Sequence, residues 1–288
     1  MVLVGEVLAV DLGGTNFRMA RVSGDGEIVA RDALPTREVE SIASGLKRLI
    51  GLVGGEDLEE LVFGAPGVID FATGTVPYAA NLSKELREGI AVRSLESEVG
   101  KRVTLVNDAD LAAMAEAKIG AGVGADTLIY VTCSTGLGAG LVHRGELYRS
   151  RFSGLEVGHT RLGLEIFDEA EKLGSGTALA RAAKGSNLNI KSEELVKRAV
   201  LVAGIERDLL RRTIEALGVA LANLAWLFAP DRIVVGGGLG LSAPLVLELA
   251  QECFDGARPE YLEGLELRAA QLGDDAGLRG APFVVKRG

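Results

Sequence analysis

Three glycine-rich segments in this sequence have the composition of backbone cradles for an anion. They are Asp11-Leu12-Gly13-Gly14-Thr15-Asn16, Ser134-Thr135-Gly136-Leu137-Gly138-Ala139-Gly140 and Gly236-Gly237-Gly238-Leu239-Gly240, each following an apolar run. Glycines let the chain turn tightly and bring amide N–H groups against a phosphate without obstruction by Cβ. Thr15, Asn16, Ser134 and Thr135 add side-chain donors. Asp11 would repel phosphate unless it holds a cation, so it suits a direct or water-mediated Mg²⁺ contact. Taken singly, each loop is equally a structural hairpin, with Asp11 as a turn former. Together they offer what a nucleotide requires, a phosphate cradle and close backbone approach to the rest of the molecule. No Gly-x-x-x-x-Gly-Lys-Ser/Thr occurs, which excludes a P-loop.

Two further groupings could do chemistry. Asn107-Asp108 ends a predicted strand where a helix begins, so Asp108 reads either as helix N-cap or as a carboxylate kept ionised by the helix N-terminus. An ionised carboxylate is a weak base, yet phosphoryl transfer needs a positioned base more than a strong one. Glu156-Val157-Gly158-His159 sets a carboxylate and an imidazole three residues apart, able to face one cavity or to be ordinary structural groups. A zinc site or nucleophilic triad lacks material, since no cysteine pair lies near His159 and no Gly-x-Ser-x-Gly elbow is present. Asp108 with Glu156 would also suit a glycosidase, which would have no use for three anion cradles.

The elements that must position these groups are set out by apolar periodicity. Residues 6–10, 17–22 and 28–33 read as a β-meander. Val39, Ile42, Leu46, Leu49 and Val53 share one face of a helix predicted over 37–53. Short strands are expected at 61–63 and 103–106, with an alanine-rich helix over 109–119 closed by Gly120. The pattern then repeats in outline, with a strand at 128–132, the second Gly-rich turn and a returning strand at 141–143. Helices are expected over 175–183, 192–202 and 207–228, a strand over 231–235, and a helix started by Ser242 or Pro244. The echo of a hairpin in each half implies two similar lobes, predicted as 1–110 and 111–274, with 275–288 able to pack back on the first.

Composition narrows the class. The chain has 288 residues, 48% hydrophobic and 25% charged, with no run approaching the ~20 apolar residues of a membrane helix. The start carries no basic flank or leader-like core, so a cytoplasmic protein is expected. Cys133 and Cys253 are the only cysteines, which leaves no disulfide framework and suggests small core fillers. A net charge of -9 argues against a nucleic-acid partner.

In the order they occur, the motifs resemble those of the ROK family of sugar kinases and repressors. The carriers are Asp11 to Asn16, Gly64-Ala65-Pro66-Gly67, Asn81-Leu82, Val106-Asn107-Asp108-Ala109, the Ser134 to Gly140 loop, Glu156-Val157-Gly158-His159, Ser175-Gly176-Thr177-Ala178-Leu179 and Gly236-Gly237-Gly238. They span nearly the whole chain. The resemblance implies an α/β, two-lobed actin-like ATPase (ribonuclease H-like) fold with a central cleft. It implies ATP-dependent phosphorylation of a hexose at the 6-hydroxyl, with glucose the expected sugar and N-acetylmannosamine, fructose or allose the rivals. Asp108 would be the base, and Gly67, Asn81, Asn107, Glu156, His159 and Glu171 would hold the sugar. Asp11, Gly13, Gly14, Thr15, Asn16, Thr135 and Gly136 would face the phosphates and Mg²⁺, with Gly237 and Gly238 beside the adenosine. A homodimer or homotetramer is expected. A sugar-sensing regulator is the non-enzymatic rival, but the family's repressors carry an N-terminal helix-turn-helix and here the first strand starts by Glu6.

One departure stands out. Most of the family follow the histidine with a Cys-x-Cys-Gly-x-x-Gly-Cys cluster that binds structural zinc, whereas residues 160–169 here contain no cysteine. No zinc is expected, and the His159 loop is predicted to be held by packing of Leu162, Leu164, Ile166 and Phe167.

Overall fold

The computed structural model describes residues 5–80, 82–165 and 168–285. By compactness they fall into two units, one running through Ile119 with Gly140–Gly154 and the segment from Asp274, the other comprising Gly120–Ala139 and Leu155–Gly273. This division differs from the predicted boundary at 110/111. The helix that begins at Asp108 stays with the first unit because the C-terminal segment packs on it. A Cβ at Gly280 would lie 2.0 Å from the Leu111 carbonyl oxygen, so only glycine allows that approach.

In the first unit, β1 (Val7–Leu12), β2 (Asn16–Val22) and β3 (Ile28–Pro35) form the antiparallel meander. Helix α1 (Ile42–Val53) comes next, then β4 (Glu60–Ala65), the hairpin β5 (Val68–Asp70) and β6 (Thr75–Tyr78), short helices α2 (Lys84–Glu88) and α3 (Val92–Val99), β7 (Arg102–Asn107) and α4 (Asp108–Ile119). The sheet order is β3-β2-β1-β4-β7, with β1, β4 and β7 parallel. Strands β1 and β4 read as near-continuous apolar runs because both their faces are covered, and Val7 to Val10 and Leu61 to Phe63 are buried throughout. Helix α1 starts five residues later than its periodicity predicts. Ser41 and Ser44 form a reciprocal capping box there, while Thr36–Glu38 makes a separate 3-10 turn.

The second sheet repeats the plan. Strands β8 (Thr127–Cys133), β9 (Leu137–His143) and β10 (Glu146–Leu147) are followed by α5 (Ala170–Gly174), α6 (Gly176–Gly185), α7 (Ser192–Leu201) and α8 (Ile205–Phe228). Then come β11 (Arg232–Gly236), α9 (Pro244–Ala257), β12 (Leu267–Ala269) and α10 (Ala276–Arg279). The order β10-β9-β8-β11-β12, with β11 parallel to β8 and β12, is the order of the first sheet again. Strand β9 begins at Leu137, so the second Gly-rich turn is shorter than predicted. Pro244 opens α9 as expected, but the Ser242 hydroxyl donates to the Leu239 carbonyl instead of capping the helix. Cys133 is buried, and burial pushes its thiol up to about 12, as befits an inert core filler. No helix among the described residues is long and apolar enough to cross a membrane.

The first core is built around Phe17 and Phe63, whose ring centroids lie 6.1 Å apart, with Leu46 and Leu49 of α1 in the same apolar cluster. Phe63→Ala should therefore cost about 3–5 kcal/mol, read as a lowered urea midpoint; a loss under about 1 kcal/mol would contradict this packing.

Candidate active site

The first Gly-rich loop closes the β1–β2 hairpin. Leu12 pairs with Phe17, and the Gly13 N–H donates to the Asn16 carbonyl at 2.8 Å, so the turn spans residues 13–16. That register sets Asp11 opposite Arg18, whose guanidinium donates to the Asp11 carboxylate through Nε at 2.9 Å and through a second nitrogen. Arg18 also donates to the Asp274 carbonyl at 3.0 Å and lies 3.9 Å from the Asp275 carboxylate, which pairs with Arg31 at 2.6 Å. Behind the loop the buried Thr36 donates from its hydroxyl to the Gly13 carbonyl and from its amide to the Thr15 carbonyl, each at 2.8 Å. Gly13, Gly14, Thr15 and Asn16 are thus held from both ends.

The parallel register brings a second group to the same sheet edge, since Asp11 pairs with Gly64 and Ala65 with Asn107. Gly67 adopts φ +85°, and a Cβ there would lie 2.2 Å from the Tyr78 carbonyl oxygen. Its own carbonyl accepts from Asn107 Nδ2 at 2.9 Å. The Asn107 Oδ1 accepts from the Ala109 and Asp110 amides at 2.9 and 3.2 Å. Asn107 therefore supplies the helix cap, and Asp108, the first residue of α4, shares it, its Oδ1 also accepting from the Ala109 amide at 2.8 Å. Asn81 lies outside the described residues.

In the second unit the Ser134 N–H donates to the Gly136 carbonyl at 2.9 Å, making the turn. The N-terminus of α6 closes against it, with the Gly176 amide 2.7 Å from the Ser134 carbonyl and the Thr177 hydroxyl donating to the Thr135 carbonyl at 2.8 Å. On the other side Glu171 Oε2 accepts from the Leu137 amide at 2.8 Å, and a Cβ on Gly136 would meet that same oxygen at 2.4 Å. Gly237, at φ +84°, wraps the end of β8. A Cβ there would lie 2.5 Å from the Cys133 carbonyl, which already accepts from the Leu239 and Gly240 amides. Nothing lies within 4 Å of a Cβ built on Gly238.

Glu156 caps a 3-10 turn, Val157–His159, which sets Glu156 Oε2 3.8 Å from His159 Nε2. The opposite nitrogen, Nδ1, lies 3.5 Å from the carboxylate of Glu169, which pairs with Lys172 at 2.8 Å. The described part of the loop between them is held by hydrogen bonds. The Leu162 amide donates to the Asp168 carbonyl and Ala170 to Thr160, each at 2.8 Å, and the Glu165 amide donates to the Asp168 carboxylate at 2.9 Å. Leu164 is fully exposed and so does not pack as predicted. Ile166 and Phe167 lie outside the described residues. Among the described residues no group of three or more His, Cys, Asp or Glu side chains is arranged to hold a metal ion.

The family model for the ROK family matches residues 7–287. The chain belongs to the ROK family. This ROK chain is 31% identical to a glucokinase of Halalkalibacterium halodurans, over 97% of its own length and 94% of the relative's. It is 28% identical to an N-acetylmannosamine kinase of Escherichia coli, covering 97% and 98%. Its structure superposes with a TM-score of 0.85 on a ROK family glucokinase from Streptomyces griseus in complex with glucose and AMPPNP, at 30% identity and covering 99% and 100% of the two chains. The fold is accordingly the two-lobed actin-like ATPase fold of ROK sugar kinases.

Several groups that support these loops, in one unit or the other, carry no motif that singles them out in the sequence. Arg18 is legible in principle, because pairing Leu12 with Phe17 across a four-residue turn sets Asp11 against Arg18. Thr36, Glu169 and Lys172 have no such signal, since their contacts depend on how loops fold back.

Burial disfavours the Glu156 carboxylate; His159 opposes that and Glu171 adds to it, and the balance raises its pKa. An acid with a raised native pKa contributes stability below its unfolded value, about 4.3, and loses it as pH rises through the native value. Glu156→Gln should therefore match the wild type in thermal midpoint near about pH 4 and exceed it near about pH 7. A variant that falls below the wild type at the higher pH would contradict this environment for Glu156.

Proposed function

We propose that the chain transfers the γ-phosphoryl group of ATP to the 6-hydroxyl of glucose. The observation that carries the reading is the placement of two polar side chains at the start of α4. Asn107 caps the helix through the Ala109 and Asp110 amides, and Asp108, the first residue of α4, shares the Ala109 amide and brings to the same end of β7 a carboxylate suited to accept the sugar hydroxyl proton. As the bond from O6 to the γ-phosphorus forms, the bond from that phosphorus to the departing ADP oxygen breaks, and the hydroxyl proton passes to Asp108. The transition state is loose, so holding the hydroxyl in line contributes more than base strength.

In this reading Gly67, Asn81, Asn107, Glu156, His159 and Glu171 hold the sugar. Asn107 would use the Nδ2 hydrogen that does not bond Gly67. Asp11, Gly13, Gly14, Thr15, Asn16, Thr135 and Gly136 receive the phosphates of MgATP, with Gly237 and Gly238 beside the adenosine. Open space at Gly238 and the rigid support behind Gly13, Gly136 and Gly237 fit that role. Asp11 shares its carboxylate with Arg18, which leaves it suited to reach Mg²⁺ through water while Arg18 balances its charge. The partners proposed are sugar and MgATP, with no nucleic acid and no structural zinc, for a cytoplasmic homodimer or homotetramer.

A second reading, N-acetylmannosamine as acceptor, is favoured by the similarity to the Escherichia coli kinase. Two measurements test the proposal. Asp108→Asn should lower kcat by about 10²–10⁴ while glucose binding stays within about threefold; wild-type turnover would remove Asp108 from the chemistry. In an ADP-coupled assay over glucose, mannose, fructose, glucosamine and N-acetylmannosamine, glucose should show the highest kcat/KM. Preference for N-acetylmannosamine would replace the sugar, and inactivity on all would favour a sensor.

A further inference from the structure

The loop that follows His159 has no cysteine, and the partly exposed imidazole lies between two carboxylates. Its Nδ1 faces Glu169 at 3.5 Å, and the other carboxylate oxygen of Glu169 accepts from Lys172 Nζ at 2.8 Å. Glu169 therefore spans from a lysine of α5 to the ring, one oxygen to each. Its backbone is fixed as well. It makes an antiparallel bridge with Arg161, and the next amide, that of Ala170, donates to the Thr160 carbonyl. The ring is fixed from its own side by the 3-10 turn, where the His159 amide donates to the Glu156 carbonyl at 3.1 Å. The hydrogen bond from Lys172 outweighs burial and, with the proximity of His159, holds the Glu169 carboxyl below the usual carboxylate range. An ionised carboxylate can only accept, and of the two that flank the ring Glu169 is the nearer, 3.5 Å from Nδ1 against 3.8 Å from Nε2 to Glu156, so Nδ1 carries the hydrogen. In a neutral ring that leaves Nε2, on the Glu156 side, with a lone pair.

We propose that Glu169 is a positioning residue for His159, holding the imidazole in the Nδ1–H form so that Nε2 is presented to a sugar hydroxyl beside Glu156. The proposal rests on the reading of His159 as a sugar ligand. It assigns to a carboxylate and a lysine the work of fixing a ring orientation, as outer-sphere carboxylates do for histidines elsewhere. Glu169 touches no substrate in this scheme. Its effect appears in the affinity for sugar, and the phosphoryl-transfer step keeps its own machinery.

The test uses the full-length enzyme with Glu169→Ala, Glu169→Gln, His159→Ala and the double variant Glu169→Ala/His159→Ala. Glu169→Ala should raise the glucose KM about tenfold with kcat changed by less than about threefold. Glu169→Gln, whose amide oxygen can still accept from Nδ1–H, should recover part of that loss. Once His159 is gone the Glu169 substitution should add nothing, a coupling that general destabilisation would not produce. The chain has two histidines, His143 and His159, so a nitrogen-15 spectrum of the sugar-free protein with the ring neutral assigns the tautomer directly. The wild type should show hydrogen on Nδ1, and Glu169→Ala should lose that preference. An Nε2–H ring in the wild type, or a wild-type KM in Glu169→Ala when His159→Ala has raised it, would overturn the role of Glu169. A wild-type KM in His159→Ala would instead overturn the sugar-binding reading of His159, and the positioning role would fall with it.

Discussion

Both sheets are governed by one constraint: their central strands, β1 and β4 in one and β8 and β11 in the other, are covered on both faces. Val7 to Val10, Leu61 to Phe63, Leu128 to Val131 and Ile233 to Val235 are buried along their lengths, leaving no room for polar side chains within the strands. Polar groups are pushed to the strand ends, where the chain must turn. Asp11, Asn107-Asp108, Ser134 to Gly136 and Gly236 to Gly238 all lie at or beyond such ends. In each sheet, register then decides which ends meet: Asp11 beside Gly64 and Ala65 beside Asn107 in one, Gly236 beside Thr132 in the other.

Crowding at the strand ends makes these loops rigid. Cβ atoms at Gly67, Gly136 and Gly237 would each come within 2.5 Å of a neighbouring oxygen, so the loops have little freedom to rearrange. Side chains reinforce them: Thr36 behind Gly13, Asn107 between Gly67 and α4, Thr177 on Thr135. Groups held in place before a ligand arrives need not be reorganised during the reaction, which is the main source of electrostatic catalysis.

The carboxylates show how charge is managed in the same setting. Asp11 is matched by Arg18, which the C-terminal segment holds through Asp274 and Asp275. Glu171 commits one oxygen to a backbone amide, and Glu169 is anchored by Lys172. Among the described residues Glu156 is paired with His159 alone, and burial raises its pKa. Beside His159 stands a hydrogen-bonded loop that sets the Glu169 carboxylate against the ring.

The sequence alone determined the strand-loop-strand units, the helix faces and the family, because these depend on local periodicity and on residue types at fixed spacing. The face of α1 is legible from Ile42, Leu46, Leu49 and Val53, although its start is set by a Ser41–Ser44 box that the periodicity hides. Asp108 is legible as either cap or base; only the folded structure shows that Asn107, reaching back to Gly67 and forward to Ala109 and Asp110, supplies most of the cap. For the loop after His159 the sequence suggests apolar packing from Leu162, Leu164, Ile166 and Phe167; of these Leu164 is exposed in the structure. Among the described residues the loop gains support from Asp168, Glu169 and Lys172, polar groups whose partners are chosen by how the chain folds back. Apolar patterning carries no record of that choice, since a hydrogen bond depends on a distance and a direction that residue identity does not encode.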